Sequence, residues 1–139
     1  MRILTDKELV ELAEGLDAED FAFAESRMPE PDPFTGKPGW LREIVEQGFV
    51  QARHIVFNGR KVGYLFYCFG PDCVYLNGGA TVACAGVELS PMIHAAALQL
   101  AKANNKRYVK LETRRPGVID YAVKHGFRIS GVSLIKEVE

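Results

Sequence analysis

The sequence predicts a single α/β (α+β) domain in which a mixed, mostly antiparallel sheet carries helices on both faces. Three observations predict it. The hydrophobic period is helix-like over residues 1–48, strand-like over 51–83, and alternates between helix and strand over 90–139. Asn58-Gly59 joins two runs rich in Val, Ile, Phe and Tyr, a strong hairpin signal because both turn positions need positive φ. Finally, 139 residues with 47% hydrophobic content suit one core and leave little room for two.

The amino-terminal third reads as helical. Thr5-x-x-Glu8 is a capping-box pattern, Leu9, Leu12 and Leu16 form an apolar stripe, and Gly15 helps to end the helix. Asp17 is placed to cap a second helix through about Arg27, with Phe21 and Phe23 as its apolar bulk. Pro29 to Gly39 holds four prolines and is a loop. A third helix, Trp40 to Gln47, is stopped by Gly48.

The middle third predicts three antiparallel strands in a meander: Gln51–Phe57, Lys61–Phe69 and Cys73–Val82, the last two joined by Gly70-Pro71-Asp72. The last third begins with Ser90 as an N-cap and Pro91 at the first position of a helix to about Asn104. Its small residues, Ala96, Ala97 and Ala101, imply close packing on the sheet. A strand over Arg107–Thr113, a helix over Val118–His125 and a final strand segment over Phe127–Val138 complete the order.

Charge and composition narrow the functions. Seventeen basic residues against eighteen acidic ones provide no basic field for nucleic acid. No apolar stretch approaches the ~20 residues of a membrane span, and the charged opening lacks a signal-peptide core, so a cytoplasmic location is expected. Cys68, Cys73 and Cys84 make an odd count. A Cys68–Cys73 disulfide across the turn is compatible with the spacing, but free packed thiols are favoured. His54, His94 and His125 lack ligand spacing, so structural roles are expected and no metal.

The order of elements resembles the GNAT superfamily of acyl-CoA-dependent N-acetyltransferases. The likeness is clearest from Cys73 to Val138, where LAKANNKRYVKLET (Leu100–Thr113) and YAVKHGF (Tyr121–Phe127) look like that family's helix-turn-strand and Tyr-x-x-x-Gly-Phe segments. The stretch from Glu112 to Phe127, with its Arg-Pro-Gly turn, resembles phage-encoded GNAT-like proteins in particular. The resemblance implies acetyl-CoA lying in a splay between the fourth and fifth strands. Its pantetheine would bond to strand backbone, and its diphosphate would sit at the N-terminus of the following helix.

The resemblance directs attention to a few residues. Asn77-Gly78-Gly79-Ala80 falls inside the fourth strand; paired glycines there imply a bulge or a close backbone approach, and Gly78 and Gly79 are the candidate pantetheine contacts. The family's diphosphate loop falls on Ala83–Glu88, where Gly86 matches and Val87 adjoins it. Ala83 replaces a Gln or Arg, and Glu88 brings a carboxylate that would meet the diphosphate with like charge. At an effective dielectric of ~20, such a pair 4 Å apart costs roughly 4 kcal/mol. Arg114 is the candidate anion contact.

For the chemistry, Tyr121 is the candidate acid, although the family's tyrosine position is Ala122, and a packing role for Tyr121 stays open. Glu112 is the candidate base, with a solvated strand residue as its alternative. Two functions remain. One is an N-acyltransferase acting on a small-molecule or protein amine. The other is a catalytically inactive GNAT-like, phage-derived virion or host-interaction protein, active through an interface with a homo-oligomer or virion partner.

Overall fold

A computed structural model of the chain describes residues 11–27, 38–81, 89–112 and 116–131, together with Leu134, Lys136 and Val138. The elements run β1 (Glu11–Ala13), α1 (Ala18–Arg27), α2 (Trp40–Glu46), β2 (Gln51–Phe57), β3 (Arg60–Phe69), β4 (Cys73–Thr81), α3 (Leu89–Ala103), β5 (Tyr108–Leu111) and α4 (Pro116–Lys124). They build one five-stranded sheet in the order β1-β2-β3-β4-β5. The first three pairings are antiparallel, and β4 with β5 is parallel. Parallel neighbours need a crossover, which α3 provides.

The strands show why the meander forms. Asn58 at φ 51° and Gly59 at φ 73° turn β2 into β3, as the hairpin signal requires. Side chains then alternate between two cores. Ile55, Leu65, Tyr67 and Val74 meet α3 through Ala96 and Ala101. On the other face, Ala52, Tyr64 and Phe66 meet Phe21 and Ala24 of α1 and Leu41 of α2. Helices therefore cover both faces. Ala96 and Ala97 are fully buried, and their lack of bulk lets α3 lie close to the sheet.

Asp17 caps α1 through a reciprocal pair: Asp20 N donates to Asp17 Oδ1 and Asp17 N donates to Asp20 Oδ2, both at 2.9 Å. Glu25 ties α1 to the start of α2, accepting from Gly39 N at 2.9 Å and Leu41 N at 3.3 Å. Gly39 stands at φ 88° ahead of α2 with no side chain to cap the helix, so Glu25 performs that task from α1.

Four expectations need correction. The first helix, where described, is absent: Glu11–Ala13 is strand β1, with Leu12 opposite Ile55, while residues 1–10 lie outside the described residues. A three-residue edge strand is too short to display alternation, so the leucine spacing imitated a helical stripe. The final strand is also absent among the described residues: 127–131, Leu134, Lys136 and Val138 have no regular structure, and Ile129, Leu134 and Val138 are exposed. A strand exists only against a partner, and the described ladder of β5 is with β4 alone. The helix expected from Val118 starts at Pro116, whose fixed φ and missing N–H suit a first position. The helix expected to start after a Ser90 cap already includes Leu89 and Ser90, which keeps Pro91 within the first turn, where its missing donor costs nothing.

Most of the expected loop Pro29–Gly39 lies outside the described residues. Among the described residues no helix is long and apolar enough to cross a membrane. Cys68 and Cys73 are free, Cys73 being buried, and in the β3–β4 ladder Cys68 stands opposite Tyr75 instead.

Candidate active site

The parallel pair β4–β5 is fastened at one end, and among the described residues its pairing stops short of the other end of β4. At the fastened end, Arg107 N and Tyr108 N both donate to Asp72 O, at 2.9 and 3.0 Å. Lys106 Nζ donates to Gly70 O at 2.9 Å and Pro71 O at 3.3 Å, holding the start of β5 against the β3–β4 turn. From there the ladder runs Cys73 with Tyr108, Val74 with Val109, Tyr75 with Lys110 and Leu76 with Leu111. It stops at that point among the described residues, although β4 continues to Thr81.

The opposite edge of β4 changes at the same place. Phe66 pairs with Gly78 while Tyr67 pairs with Leu76, so Asn77 is an extra residue bulged out of the β3–β4 ladder. A bulge bends its strand and increases the local twist. The bulge and the end of the described β4–β5 ladder coincide. The result is a fork whose β4 side, Asn77 to Thr81, spans about 16 Å at strand rise. Its backbone N–H and C=O groups lack a β5 partner among the described residues. A fork of this kind suits an extended ligand that carries amide groups, which can pair with the strand as another strand would.

Against this fork the candidate residues separate. Gly78 and Gly79 lie on its β4 side immediately beyond the bulge. Glu112 follows Leu111, the last paired residue of β5, and is exposed at the fork's other side. It lies beyond the strand, not within it. Tyr121 is half-buried on α4, and Ala122, at the position where the family has its tyrosine, is buried. Gly86, Val87 and Arg114 lie outside the described residues.

Tyr121 belongs to a ring cluster that joins α4 to α3. Its ring stacks on His125, one turn later, at 4.2 Å and 29°. His94 of α3 meets Tyr121 at 6.4 Å and 87°, His125 at 5.9 Å and Phe127 at 5.5 Å. The spacing of Tyr121 and His125 puts them on one helical face, a signal legible in sequence; their meeting with His94 depends on tertiary packing.

Sequence reasoning also missed a buried polar cluster beneath α1. Tyr64 OH donates to Asp20 Oδ1 at 2.6 Å. His54 is 2% exposed, and its Nε2 lies 3.5 Å from Asp20 Oδ2, too long and poorly directed to count as a hydrogen bond. His54 and Tyr64 are cross-strand partners, and Tyr64 is opposite Ala80 on the fork-bearing strand. Burial would raise the Asp20 carboxyl, but the Tyr64 hydroxyl, the Asp17 backbone and the nearby His54 outweigh it and hold the carboxyl below its usual range. Burial and the Asp20 carboxylate both push the Tyr64 phenol upward. The cluster keeps Asp20 ionised and Tyr64 protonated. Among the described residues no group of His, Cys, Asp and Glu is arranged to hold a metal.

No protein-family model matches this sequence, and no curated protein sequence does either. Solved structures do. The chain is similar to an acetyltransferase of Trypanosoma brucei, with TM-score 0.60 and 14% identity over 94% of this chain and 99% of that one. It is also similar to the aminoglycoside N-acetyltransferase AAC(6')-Iy bound to a CoA bisubstrate analogue, with TM-score 0.58 and 13% identity over 94% and 97% of the two chains. A CoA complex of the same aminoglycoside enzyme gives TM-score 0.56 and 12% identity, over 94% and 95%. At such identities the likeness concerns architecture. The mixed sheet, its bulged fourth strand and its forked parallel pair give this chain the fold of N-acetyltransferases.

Proposed function

We propose that the chain is an acyl-CoA-dependent N-acyltransferase of the GNAT type, transferring an acetyl or related acyl group to an amine. The observation that carries the reading is the fork: the β4–β5 ladder ends at Leu76 and Leu111 where Asn77 bulges from the opposite edge. Such a fork fits the amide-bearing pantetheine arm of a CoA thioester. The CoA and CoA-analogue complexes of one similarly folded enzyme support the ligand class. That this enzyme is an aminoglycoside N-acetyltransferase supports a small-molecule amine as acceptor.

In the reaction the amine nitrogen attacks the thioester carbonyl, the C–N bond forms and the C–S bond breaks. The amine gives up a proton and the departing sulfur takes one. Gly78 and Gly79 let a ligand approach the β4 backbone, with Gly86, Val87 and Arg114 assigned to the diphosphate. Glu112, exposed at the fork, is the candidate acceptor of the amine proton, and Tyr121 the candidate donor to sulfur.

The test is a thermal-shift titration with acetyl-CoA, followed by release of free CoA thiol in the presence of a panel of amines. At a hundred times its dissociation constant a ligand stabilises by about 2.7 kcal/mol, several degrees in Tm. A flat titration into the millimolar range refutes the enzyme reading. It would leave the interaction protein, which the Ala83 and Glu88 departures in the loop favour. Glu88→Gly separates the two further, since it should strengthen acetyl-CoA binding without affecting an interface elsewhere.

A further inference from the structure

We propose that His94 is a positioning residue for Tyr121, fixing the phenol beside the fork; this deepens the acyltransferase reading and rests on it. The placement is symmetrical. In chain order α3 follows β4 and α4 follows β5, the two strands of the parallel pair. His94 and Tyr121 each stand five residues after the first residue of their helix, about 7.5 Å along it. Their rings meet at 6.4 Å, a contact that joins the two helices following the strands of the fork.

The ring geometry defines what each contact does. His125 covers one face of Tyr121, but it sits in the turn that ends α4, and stacking between such near neighbours does not fix the phenol relative to the sheet. His94 comes from α3 and meets the Tyr121 ring almost at right angles, 87° at 6.4 Å, while also touching His125 and Phe127. Edge-to-face contacts of this kind are directional. Because α3 is anchored by Ala96 and Ala97, both fully buried, His94 refers the phenol to the sheet that carries the fork.

The purpose follows from the displacement of the tyrosine. Ala122 occupies the buried position on α4, and Tyr121 lies one residue earlier, about 100° around the helix. His94 supplies a contact to this displaced ring from a different helix. When the C–S bond breaks, the sulfur takes the phenolic proton; the Tyr121 O–H bond breaks as S–H forms, and the phenolate recovers a proton from water. His94 does not enter that exchange.

The experiment compares His94→Ala, His94→Phe and His94→Asn, with Tyr121→Phe to assign the ring signals. In the free protein, carbon-13 and proton NMR of labelled tyrosine should show Tyr121 shifted and slowly flipping in wild type. The signal should average in His94→Ala and His94→Asn and recover in His94→Phe, which keeps the ring contact. In turnover with acetyl-CoA, His94→Ala should lower kcat by about tenfold to a hundredfold, with KM for acetyl-CoA within about twofold. His94→Phe should regain most of that loss, and His94→Ala should add little to Tyr121→Phe. Unchanged Tyr121 signals in His94→Ala overturn the proposal, as does a KM effect with kcat preserved. If His94→Ala does not fold, the contrast between His94→Phe and His94→Asn decides on the same criteria. Altered ring signals in a protein that binds no acetyl-CoA would confirm the contact and refute the acyltransferase reading, so the two failures are distinct.

Discussion

Removing the Tyr64 hydroxyl should show that the polar cluster under α1 contributes to stability through one hydrogen bond. The bond is short, 2.6 Å from Tyr64 OH to Asp20 Oδ1, and Tyr64 is 6% exposed. Hydrogen bonds to charged groups contribute about 1.5–3 kcal/mol. In Tyr64→Phe the carboxylate keeps the Asp17 N–H at 2.9 Å and the nearby His54, so no charge is stranded. The expected loss is therefore at the lower end, about 1.5–2 kcal/mol. In Asp20→Asn the charge goes but a carbonyl acceptor remains, and the loss should be about 1–2 kcal/mol. The double variant should fall short of the sum by about 1 kcal/mol or more, because each single change removes the same charge-assisted bond. Urea unfolding followed by the fluorescence of Trp40, the one tryptophan, measures all four species. A coupling energy below about 0.3 kcal/mol would refute the argument and reduce the cluster to a geometric coincidence.

The same cluster fixes a pH window. Asp20 is depressed, so its contribution is complete above the unfolded value near 4 and disappears as pH falls through its folded pKa. Tyr64 is raised, so its contribution is complete below about 10 and disappears as pH climbs through its folded pKa. Asp20→Asn should weaken both limbs, which stability profiles at acid and alkaline pH will show. Glu25→Ala removes the acceptor for Gly39 N and Leu41 N and should cost about 1–2 kcal/mol, lowering Tm by several degrees in calorimetry, with Glu25→Gln recovering about half. Gly59→Ala should cost about 1–2 kcal/mol through backbone strain alone, since φ is 73° and the added methyl meets nothing within 4 Å; Asn58→Gly, at φ 51°, should be nearly neutral in the same melts.

Local chemistry made most of the fold legible. The Asn58-Gly59 turn, the Asp17 cap and the alternation of Val, Ile and aromatic residues act over a few positions, and those elements formed where expected. Elements decided by a distant partner were not legible. β1 exists because Leu12 finds Ile55, 43 positions away, and the segment Phe127–Val138 joins no strand of the sheet among the described residues. The site divides in the same way. Gly78-Gly79 announced an irregularity in β4, and the bulge lies immediately before them at Asn77. The Asp20–Tyr64 bond spans 44 positions, and His94 reaches Tyr121 only once α3 and α4 have packed, so neither leaves a local trace.

The position of the fork within the sheet bears on whether it evolved to be filled. An unpaired strand edge at the periphery of a sheet is solvated and is usually protected by charge, proline or brevity. The β4 edge from Asn77 to Thr81 is interior instead, since β5 is fastened to the same strand only four pairs earlier. Among the described residues no strand pairs with that edge, so water or a ligand would have to take its backbone groups, because leaving them buried and unpaired would cost about 1–3 kcal/mol each. Sequence across the opening follows Asn77 with Gly-Gly-Ala, residues whose small size admits a second backbone-like chain, and paired glycines weaken a strand that had only to pair with its neighbours. A sheet selected for stability alone would continue the β4–β5 ladder and replace those glycines with Val or Ile. Glycines placed where the described ladder ends are the arrangement expected if, as proposed, an extended amide-bearing ligand completes the sheet.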